Sequence, residues 1–176
     1  TISPYEFAGY MPELKSYAQE RELIKIFSTL RGKEFGLNDI IQITEEREIN
    51  QTTKDVLLSL LENLRIMNIF GASEYPDIKD FVRQGQMSVI DLSDTTNLRK
   101  KQIIVSHIAK KLFEARRDEV IPPFLLVIEE AHQFAPEKVK KEEALSKGIL
   151  QTIAREGRKF SASLCLISQR PVQLST

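Results

Sequence analysis

The sequence predicts an α/β fold in which a parallel sheet follows a small helical subdomain. Residues 124–128, Phe-Leu-Leu-Val-Ile, form a continuous apolar run, which is typical of a parallel strand covered on both faces. Helical patterns alternate with short apolar runs after Gly85, whereas the residues before it show only helical periodicity. We therefore predict a helical subdomain over residues 1–85 and the sheet over residues 86–176.

Composition limits the classes of function. The 176 residues carry 25 basic and 25 acidic side chains, so the overall charge gives no indication of nucleic-acid binding. The single cysteine, Cys165, lies in the apolar run 164–167, where we expect it to pack as a small hydrophobic side chain. A single cysteine excludes a disulfide framework within the chain and is consistent with a reducing cytoplasm. The sequence has neither a signal-peptide pattern nor an apolar run of membrane-spanning length.

The first half of the chain shows helix signals joined by turns. Two interpretations are open: the helices pack together as a structural subdomain, or they form a helix-turn-helix that reads DNA. The acidic segment 45–48, Glu-Glu-Arg-Glu, would repel phosphate and favours packing. We predict a short helix after Ser3-Pro4, one over residues 17–31 ended by Gly32, one capped by Asn38, and a longer one capped by Thr52 or Thr53 that runs through Phe70 to Gly71.

The second half reads β-α-β-α-β. Connections of this length between buried strands are right-handed crossovers, so the strands should be parallel with their carboxyl ends at one edge. That edge would gather Asp91, Glu129, Glu130 and the Ser168-Gln169-Arg170 segment. The predicted elements are a strand over residues 87–92, a helix over 97–117, a strand over 124–128, a helix over 142–159 and a strand over 163–168.

Glu129 and Glu130 directly follow the apolar run 124–128. Burying a carboxylate costs several kcal/mol unless it is paired or binds a cation, so two of them at a strand end indicate a crevice for a metal and a polar substrate. This is the pattern of a Walker B element, in which one acid holds Mg²⁺ and the next polarises the water that attacks a nucleotide γ-phosphate. The alternative is an edge strand whose two glutamates point into solvent.

Gln169 follows the last predicted strand. A polar amide at this edge can position water or sense a γ-phosphate. The alternative is a turn that ends the strand before Pro171.

Five segments together resemble one family. They lie at residues 89–93 (Val-Ile-Asp-Leu-Ser), 110–117, 122–137 (which contains Val-Ile-Glu-Glu-Ala-His-Gln-Phe), 154–160 (Ala-Arg-Glu-Gly-Arg-Lys-Phe) and 168–171 (Ser-Gln-Arg-Pro). The combination resembles the C-terminal part of the HerA family, archaeal hexameric DNA translocases of the HerA/FtsK superfamily. The resemblance covers residues 86–176 closely, and the helices before them are similar to the family's helical insertion.

The resemblance implies part of a RecA-like P-loop ATPase core that uses ATP and Mg²⁺. It also implies a homo-oligomeric, hexameric ring that acts on double-stranded DNA with a NurA-like nuclease in the resection of broken ends. Glu129 matches the metal-binding acid, although many relatives have Asp there, and Glu130 matches the catalytic glutamate. Gln169 matches the sensor. Arg158 matches an arginine that reaches the neighbouring subunit's nucleotide, with Arg155 and Arg170 as alternatives.

One departure from the family pattern is the missing phosphate loop. A P-loop motor needs G-x-x-x-x-G-K-[ST], and residues 31–34, Arg-Gly-Lys-Glu, lack both the first glycine and the Ser/Thr. We therefore expect the chain to be part of a longer protein. By itself it should bind ATP poorly and be inactive.

Two other interpretations stay open. Residues 129–132, Glu-Glu-Ala-His, resemble the DEAH box of superfamily 2 helicases, but those proteins continue with Ser-Ala-Thr, which this chain replaces by Ser-Gln-Arg-Pro. The chain could also be a non-catalytic module that binds a partner or DNA. In the HerA-like interpretation, Lys138, Lys140 and Lys141, which follow the Glu129-Glu130 strand, are predicted to face the channel of the ring and contact DNA phosphates.

Overall fold

The computed structural model describes residues 2–71, 77–137 and 144–174, which belong to two compact units, Thr1–Glu74 and Tyr75–Thr176. The described part of the first unit consists of helices: α1 (Pro4–Gly9), α2 (Tyr17–Thr29), α3 (Leu37–Glu46) and α4 (Gln51–Met67). None of the helices in the described ranges is long and apolar enough to cross a membrane.

Side-chain caps set the helix starts in the first unit. Ser3 accepts a hydrogen bond from the Glu6 amide at 3.2 Å, which confirms the predicted start of α1. Asn50, rather than Thr52 or Thr53, caps α4, because its side-chain oxygen lies 3.3 Å from the Thr53 amide. The predicted Asn38 cap of α3 was also wrong.

Asp39 determines where α3 begins. Its carboxylate accepts the Gly36 amide at 2.7 Å, which makes Gly36 the N-cap residue and places Asn38 inside the helix. At the far end of α4, Asn68 adopts the left-handed conformation, with φ at 48°, three residues before the predicted stop at Gly71. Asparagine tolerates this conformation better than most residues, so it ends the helix early.

An apolar core joins α1, α2 and α4 of the first unit. Phe7 of α1 packs on Phe27 of α2 with ring centroids 5.2 Å apart, a favourable tilted arrangement. Glu22 of α2 adds a polar link, because its carboxylate pairs with Lys25 on the same helix and, at 3.1 Å, with Arg47 after α3. The side chains with almost no exposure are Met11, Leu23, Ile26, Thr44, Leu57, Leu61 and Leu64.

The second unit has an α/β architecture. Two parallel strands pair in the register Phe124↔Ala162 to Ile128↔Leu166, which confirms two of the three predicted strands and their orientation. Helices α6 and α7 pack against one face of this sheet and enclose the core. The elements are α5 (Ile78–Phe81), α6 (Leu98–Arg117), β1 (Phe124–Ile128), α7 (Lys147–Glu156) and β2 (Ala162–Leu166).

The predicted strand over residues 87–92 was wrong. This segment has no strand pairing, and Met87 and Val89 are 86% and 77% exposed. A strand forms only where a neighbour satisfies its backbone N–H and C=O groups, and within the described residues the sheet consists of β1 and β2 alone. An apolar run is therefore not sufficient to make a strand at this position.

The second face of the sheet is open. Leu125, Val127 and Ile167 are 60%, 49% and 48% exposed, because α6 and α7 both pack on the opposite face with Leu126 and Leu164. The prediction that β1 is covered on both faces was therefore wrong for these residues. Cys165 also lies on the open face and is exposed, instead of packing in the core.

Candidate functional site

The two adjacent glutamates separate at the carboxyl end of β1. Glu129 continues the alternation of Leu125 and Val127, so it lies on the open face, and it is exposed. Glu130 breaks the alternation, because its backbone is left-handed with φ at 49° and ψ at 39°. This conformation costs a residue other than glycine roughly 1–2 kcal/mol, and it persists only where the surrounding structure imposes it. Each carboxylate therefore has its own surroundings.

Backbone hydrogen bonds to the neighbouring strand impose this geometry. The Ile167 amide donates to the Ile128 carbonyl at 2.9 Å, and the Ala131 amide donates to the Ile167 carbonyl at 2.9 Å. The ladder between the strands thus continues past the last paired residues, with Glu129 and Glu130 held between two of its hydrogen bonds. A further bond, from the Gln133 amide to the Glu130 carbonyl at 2.9 Å, closes the 3-10 turn Ala131–Gln133.

Buried polar side chains hold the segment that follows Glu130. No role was predicted for them, although Gln102 among the apolar positions of α6, and Ser146 and Lys147 at the start of α7, were a usable signal, since buried polar groups need partners. Lys147 is only 7% exposed. The bonds run from Gln102 Nε2 to the Gln133 carbonyl (2.8 Å), from Ser146 Oγ to the Phe134 carbonyl (2.8 Å), and from Lys147 Nζ to the Pro136 (2.7 Å) and Glu137 (3.1 Å) carbonyls.

Gln169 extends from the end of β2 next to the glutamates. It lies in a bend three residues after β2 ends, and its side chain is exposed. The two strands are parallel and in register, so their carboxyl ends are adjacent. The structure thus places Glu129, Glu130 and Gln169 at one edge of the sheet, as the sequence predicted.

His132 is a further polar group at this edge, and no role for it was predicted from the sequence. Its side chain is 14% exposed, and its Nδ1 lies 3.1 Å from Ser168 Oγ and 3.4 Å from Glu130 Oε2. Ser168 Oγ also accepts the Arg170 amide at 3.0 Å. The imidazole therefore connects the segment after β1 with the segment after β2.

Arg158 lies at the opposite edge of the sheet. It belongs to the 3-10 turn Gly157–Phe160, four residues before β2 begins, and its side chain is exposed without an ion pair in the described part of the chain. Arg116 holds this turn through a 2.7 Å hydrogen bond from Nε to the Phe160 carbonyl. Because five residues of strand span roughly 17 Å, the Arg158 side chain cannot meet Glu130 of its own chain. Arg155 and Arg170 are also exposed.

The other predicted polar positions fall elsewhere. Asp91 lies in an exposed turn rather than at a strand end, where its carboxylate accepts the Ser93 amide at 2.8 Å and this hydrogen bond lowers the pKa of Asp91. Lys138, Lys140 and Lys141 lie outside the described residues.

The helical unit carries a surface groove between α3 and α4. Glu45, Glu46 and Glu62 line it, and the one arginine there, Arg65, pairs with Glu62 at 2.8 Å. A surface with this charge would repel DNA phosphates. The groove therefore weakens the helix-turn-helix interpretation.

Comparison with known proteins identifies relatives. No protein-family model matches the sequence. The probable DNA double-strand break repair helicase HerA of Methanocaldococcus jannaschii is 39% identical, over 97% of this chain and 34% of that protein. The DNA double-strand break repair helicase HerA of Saccharolobus solfataricus is 31% identical, over 82% of this chain and 30% of its own length. That of Sulfurisphaera tokodaii is 38% identical, over 72% and 26%.

The chain thus spans about a third or less of the length of the curated relatives that it matches. Within that span the similarity includes HerA proteins of several different archaea, at 31–39% identity over most of this chain. The chain belongs to the HerA family.

Proposed function

We propose that this chain supplies the hydrolytic edge of an ATP-driven translocase or helicase that acts on double-stranded DNA in the resection of double-strand breaks. The observation that carries the proposal is the pair Glu129 and Glu130 at the end of a parallel strand, fixed by the hydrogen bonds of Ile167. The relatives named as DNA repair helicases support the biological role.

The backbone geometry gives the two acids separate tasks. Glu130, turned away from the strand's alternation, accepts a proton from the water that attacks the γ-phosphate, and a carboxylate in this position acts as a general base. Glu129, on the open face, contributes a charged oxygen ligand to the metal. Gln169, at the same edge of the sheet, reports the presence of the γ-phosphate by hydrogen bonding.

The donor set fits Mg²⁺ bound together with ATP. The described residues contain no group of three His, Cys, Asp or Glu side chains that could hold a metal by itself. Mg²⁺ binds proteins through one or two carboxylates together with substrate phosphates, so Glu129 alone suffices on the protein side. When bound, Mg²⁺ neutralises charge that develops on the phosphate oxygens.

The open sheet face supports a larger core. Leu125, Val127 and Ile167 expose apolar surface beside Glu129, which a RecA-like domain covers with further elements. We infer that the remainder of the full-length protein packs on this face and brings the phosphate loop that this sequence does not contain. By itself this chain should therefore bind ATP weakly and hydrolyse none.

A ring explains the position of Arg158. The arginine is exposed at the edge opposite to Glu130, so within one subunit it cannot take part in the same site. A neighbouring subunit's γ-phosphate is a suitable anionic partner for it, and arginines that act in trans in this way stabilise phosphoryl transfer. Lys138, Lys140 and Lys141 would contact DNA in the channel of the ring, and a NurA-like nuclease would act on the DNA ends.

A DNA translocation assay tests this proposal. The full-length protein should hydrolyse ATP, DNA should stimulate that hydrolysis, and the protein should displace a third strand annealed to a duplex. Glu130→Gln should abolish both activities. A full-length protein that binds DNA without hydrolysing ATP would instead be a non-catalytic module.

A further inference from the structure

His132 lies between the two segments that the proposed function uses. Its ring follows Glu130 by two residues in the 3-10 turn Ala131–Gln133 and is mostly shielded from solvent. One ring nitrogen, Nδ1, is within 3.1 Å of Ser168 Oγ and 3.4 Å of Glu130 Oε2. Ser168 immediately precedes Gln169 in the chain. The imidazole therefore contacts the glutamate and the neighbour of the glutamine.

Backbone bonds fix the two segments around this contact. The Ala131 amide donates to the Ile167 carbonyl, and the Glu137 amide donates to the Gln173 carbonyl, each at 2.9 Å. These bonds hold the main chains together but leave the Glu130 side chain, which is 44% exposed, free to rotate unless a side chain restrains it. His132 is positioned to be that restraint.

The hydrogen bonds that His132, Ser168 and Glu130 can form depend on which nitrogen of the His132 ring carries the proton. Ser168 Oγ already accepts the Arg170 amide, and its hydroxyl has one proton to donate. When Nδ1 carries the proton, it can donate to the Glu130 carboxylate. When Nε2 carries it, Nδ1 accepts from the Ser168 hydroxyl and turns a lone pair toward the carboxylate. The contact of Glu130 with His132 therefore depends on whether the Ser168 hydroxyl donates its proton to His132 Nδ1.

We propose that His132 is a positioning residue that orients the Glu130 carboxylate and joins it, through Ser168, to the segment that carries Gln169. The inference rests on the proposed function, because it takes Glu130 as the general base and Gln169 as the sensor. It explains how a change at the glutamine on binding nucleotide reaches the base: the Ser168 hydroxyl changes partner, and the Glu130 side chain gains or loses its restraint.

Steady-state ATP hydrolysis by the full-length protein tests the inference. Because the ring restrains the base without binding nucleotide, His132→Ala should lower kcat about tenfold and leave KM within about twofold. Asparagine places an amide nitrogen near the position of Nδ1, so His132→Asn should recover at least half of the lost rate. His107→Ala, which removes the chain's only other histidine, is the matched control and should leave kcat unchanged.

Ser168→Ala provides the second arm. If the serine acts through His132, this variant should lower kcat by a similar factor, and the double variant should be no slower than either single one. Multiplied effects in the double variant would overturn the inference, as would wild-type kcat in His132→Ala. Equal losses in His132→Ala and His132→Asn with lowered thermal stability would also overturn it, in favour of a structural role.

Glu130→Gln separates this inference from the function on which it rests. If Glu130→Gln hydrolyses ATP at the wild-type rate, the assignment of the base is wrong, and the role of His132 is overturned with it. If Glu130→Gln is inactive while His132→Ala is fully active, only the inference about His132 fails.

Discussion

The Ala131 amide donates a 2.9 Å hydrogen bond to the Ile167 carbonyl and thereby joins the segments that leave the two strands. Ile167 also donates its own amide to the Ile128 carbonyl. Glu129 and Glu130 therefore lie between two backbone hydrogen bonds of Ile167. The left-handed backbone of Glu130 follows from this arrangement, because the chain must turn sharply between the two bonds. Strain at this position is therefore part of the site.

Replacing Glu130 by glycine should stabilise the fold while removing the base. Glycine adopts a positive φ without steric cost, so Glu130→Gly should raise the free energy of unfolding by about 1 kcal/mol, measured in urea. Glu119→Gly is the matched control, because Glu119 also has a positive φ, at 58°, and lies before β1 begins. Both variants should gain stability and only Glu130→Gly should lose hydrolysis. A less stable Glu130→Gly beside a more stable Glu119→Gly would show that Glu130 is not strained.

Gly157 is required by close packing. A Cβ at this position would lie 2.2 Å from the Ala162 carbonyl oxygen, so the turn that carries Arg158 would have to move. Gly157→Ala should therefore destabilise the chain by about 3 kcal/mol and displace Arg158. Gly148→Ala is the control, since no atom lies within 4 Å of its Cβ and alanine favours helix α7 by about 1 kcal/mol. If urea unfolding showed Gly157→Ala to be more stable than Gly148→Ala, this packing argument would be refuted.

Glu22 makes the helical unit sensitive to acid. Its hydrogen bond to Lys25, and then that to Arg47, lower the pKa of the Glu22 carboxyl below its ordinary value of 4.5. A lowered folded-state pKa means that the stabilisation is complete above pH 4.5 and is lost as the pH falls through the folded-state pKa. Glu22→Gln should cost about 1 kcal/mol at pH 7 and progressively less at lower pH.

The control for this pH profile is Glu48→Gln, which removes an exposed glutamate that forms no ion pair within the described residues. Thermal unfolding followed between pH 7 and pH 3 should show a wild-type advantage over Glu22→Gln that shrinks with acidification. An advantage that stays constant over that range would mean that the carboxylate's charge does not contribute to stability.

Sequence patterns predicted much of the second unit because its signals are local. The apolar run 124–128 formed β1, and the helix predicted over 97–117 formed α6, which begins after Asn97, whose side chain accepts the Lys100 amide at 3.1 Å. The run over 87–92 is also rich in apolar residues, although it contains Ser88 and Asp91, but it forms no strand, since pairing depends on neighbours that local sequence does not specify. Cys165 and Val127 were wrongly placed in the core for the same reason.

The candidate site was only partly predictable. Glu129, Glu130 and Gln169 were identified because acids and amides after apolar strands are visible in one sequence. Lys147 and His132 were not, because their partners are a backbone carbonyl and a serine that lie 11 and 36 residues away. A polar residue at a buried helix position shows that a partner is needed, but the sequence does not show which distant group is that partner.

Mixing inactive subunits tests the role of Arg158. Full-length Arg158→Ala and Glu130→Gln should each be inactive, since an arginine of this kind can contribute about 10³–10⁵ in rate. Mixed rings should regain part of the hydrolysis, at sites with an intact Glu130 next to a subunit with an intact Arg158. If mixed rings regained no hydrolysis, Arg158 would act in its own subunit's site. That result would contradict the separation of Arg158 and Glu130 at opposite edges of the sheet. Normal hydrolysis by Arg158→Ala alone would favour Arg155 or Arg170.

The most direct measurement is single-turnover ATP hydrolysis by full-length Glu130→Gln, made together with ATP-Mg²⁺ binding. The amide keeps the shape of the side chain but cannot accept a proton, so binding should match the wild type while hydrolysis slows by about 10²–10⁴. Glu129→Gln should instead raise the Mg²⁺ concentration that is required, and Glu119→Gln, a glutamate at the opposite end of β1, should behave as wild type. Hydrolysis by Glu130→Gln at the wild-type rate would contradict the assignment of this edge as the catalytic site.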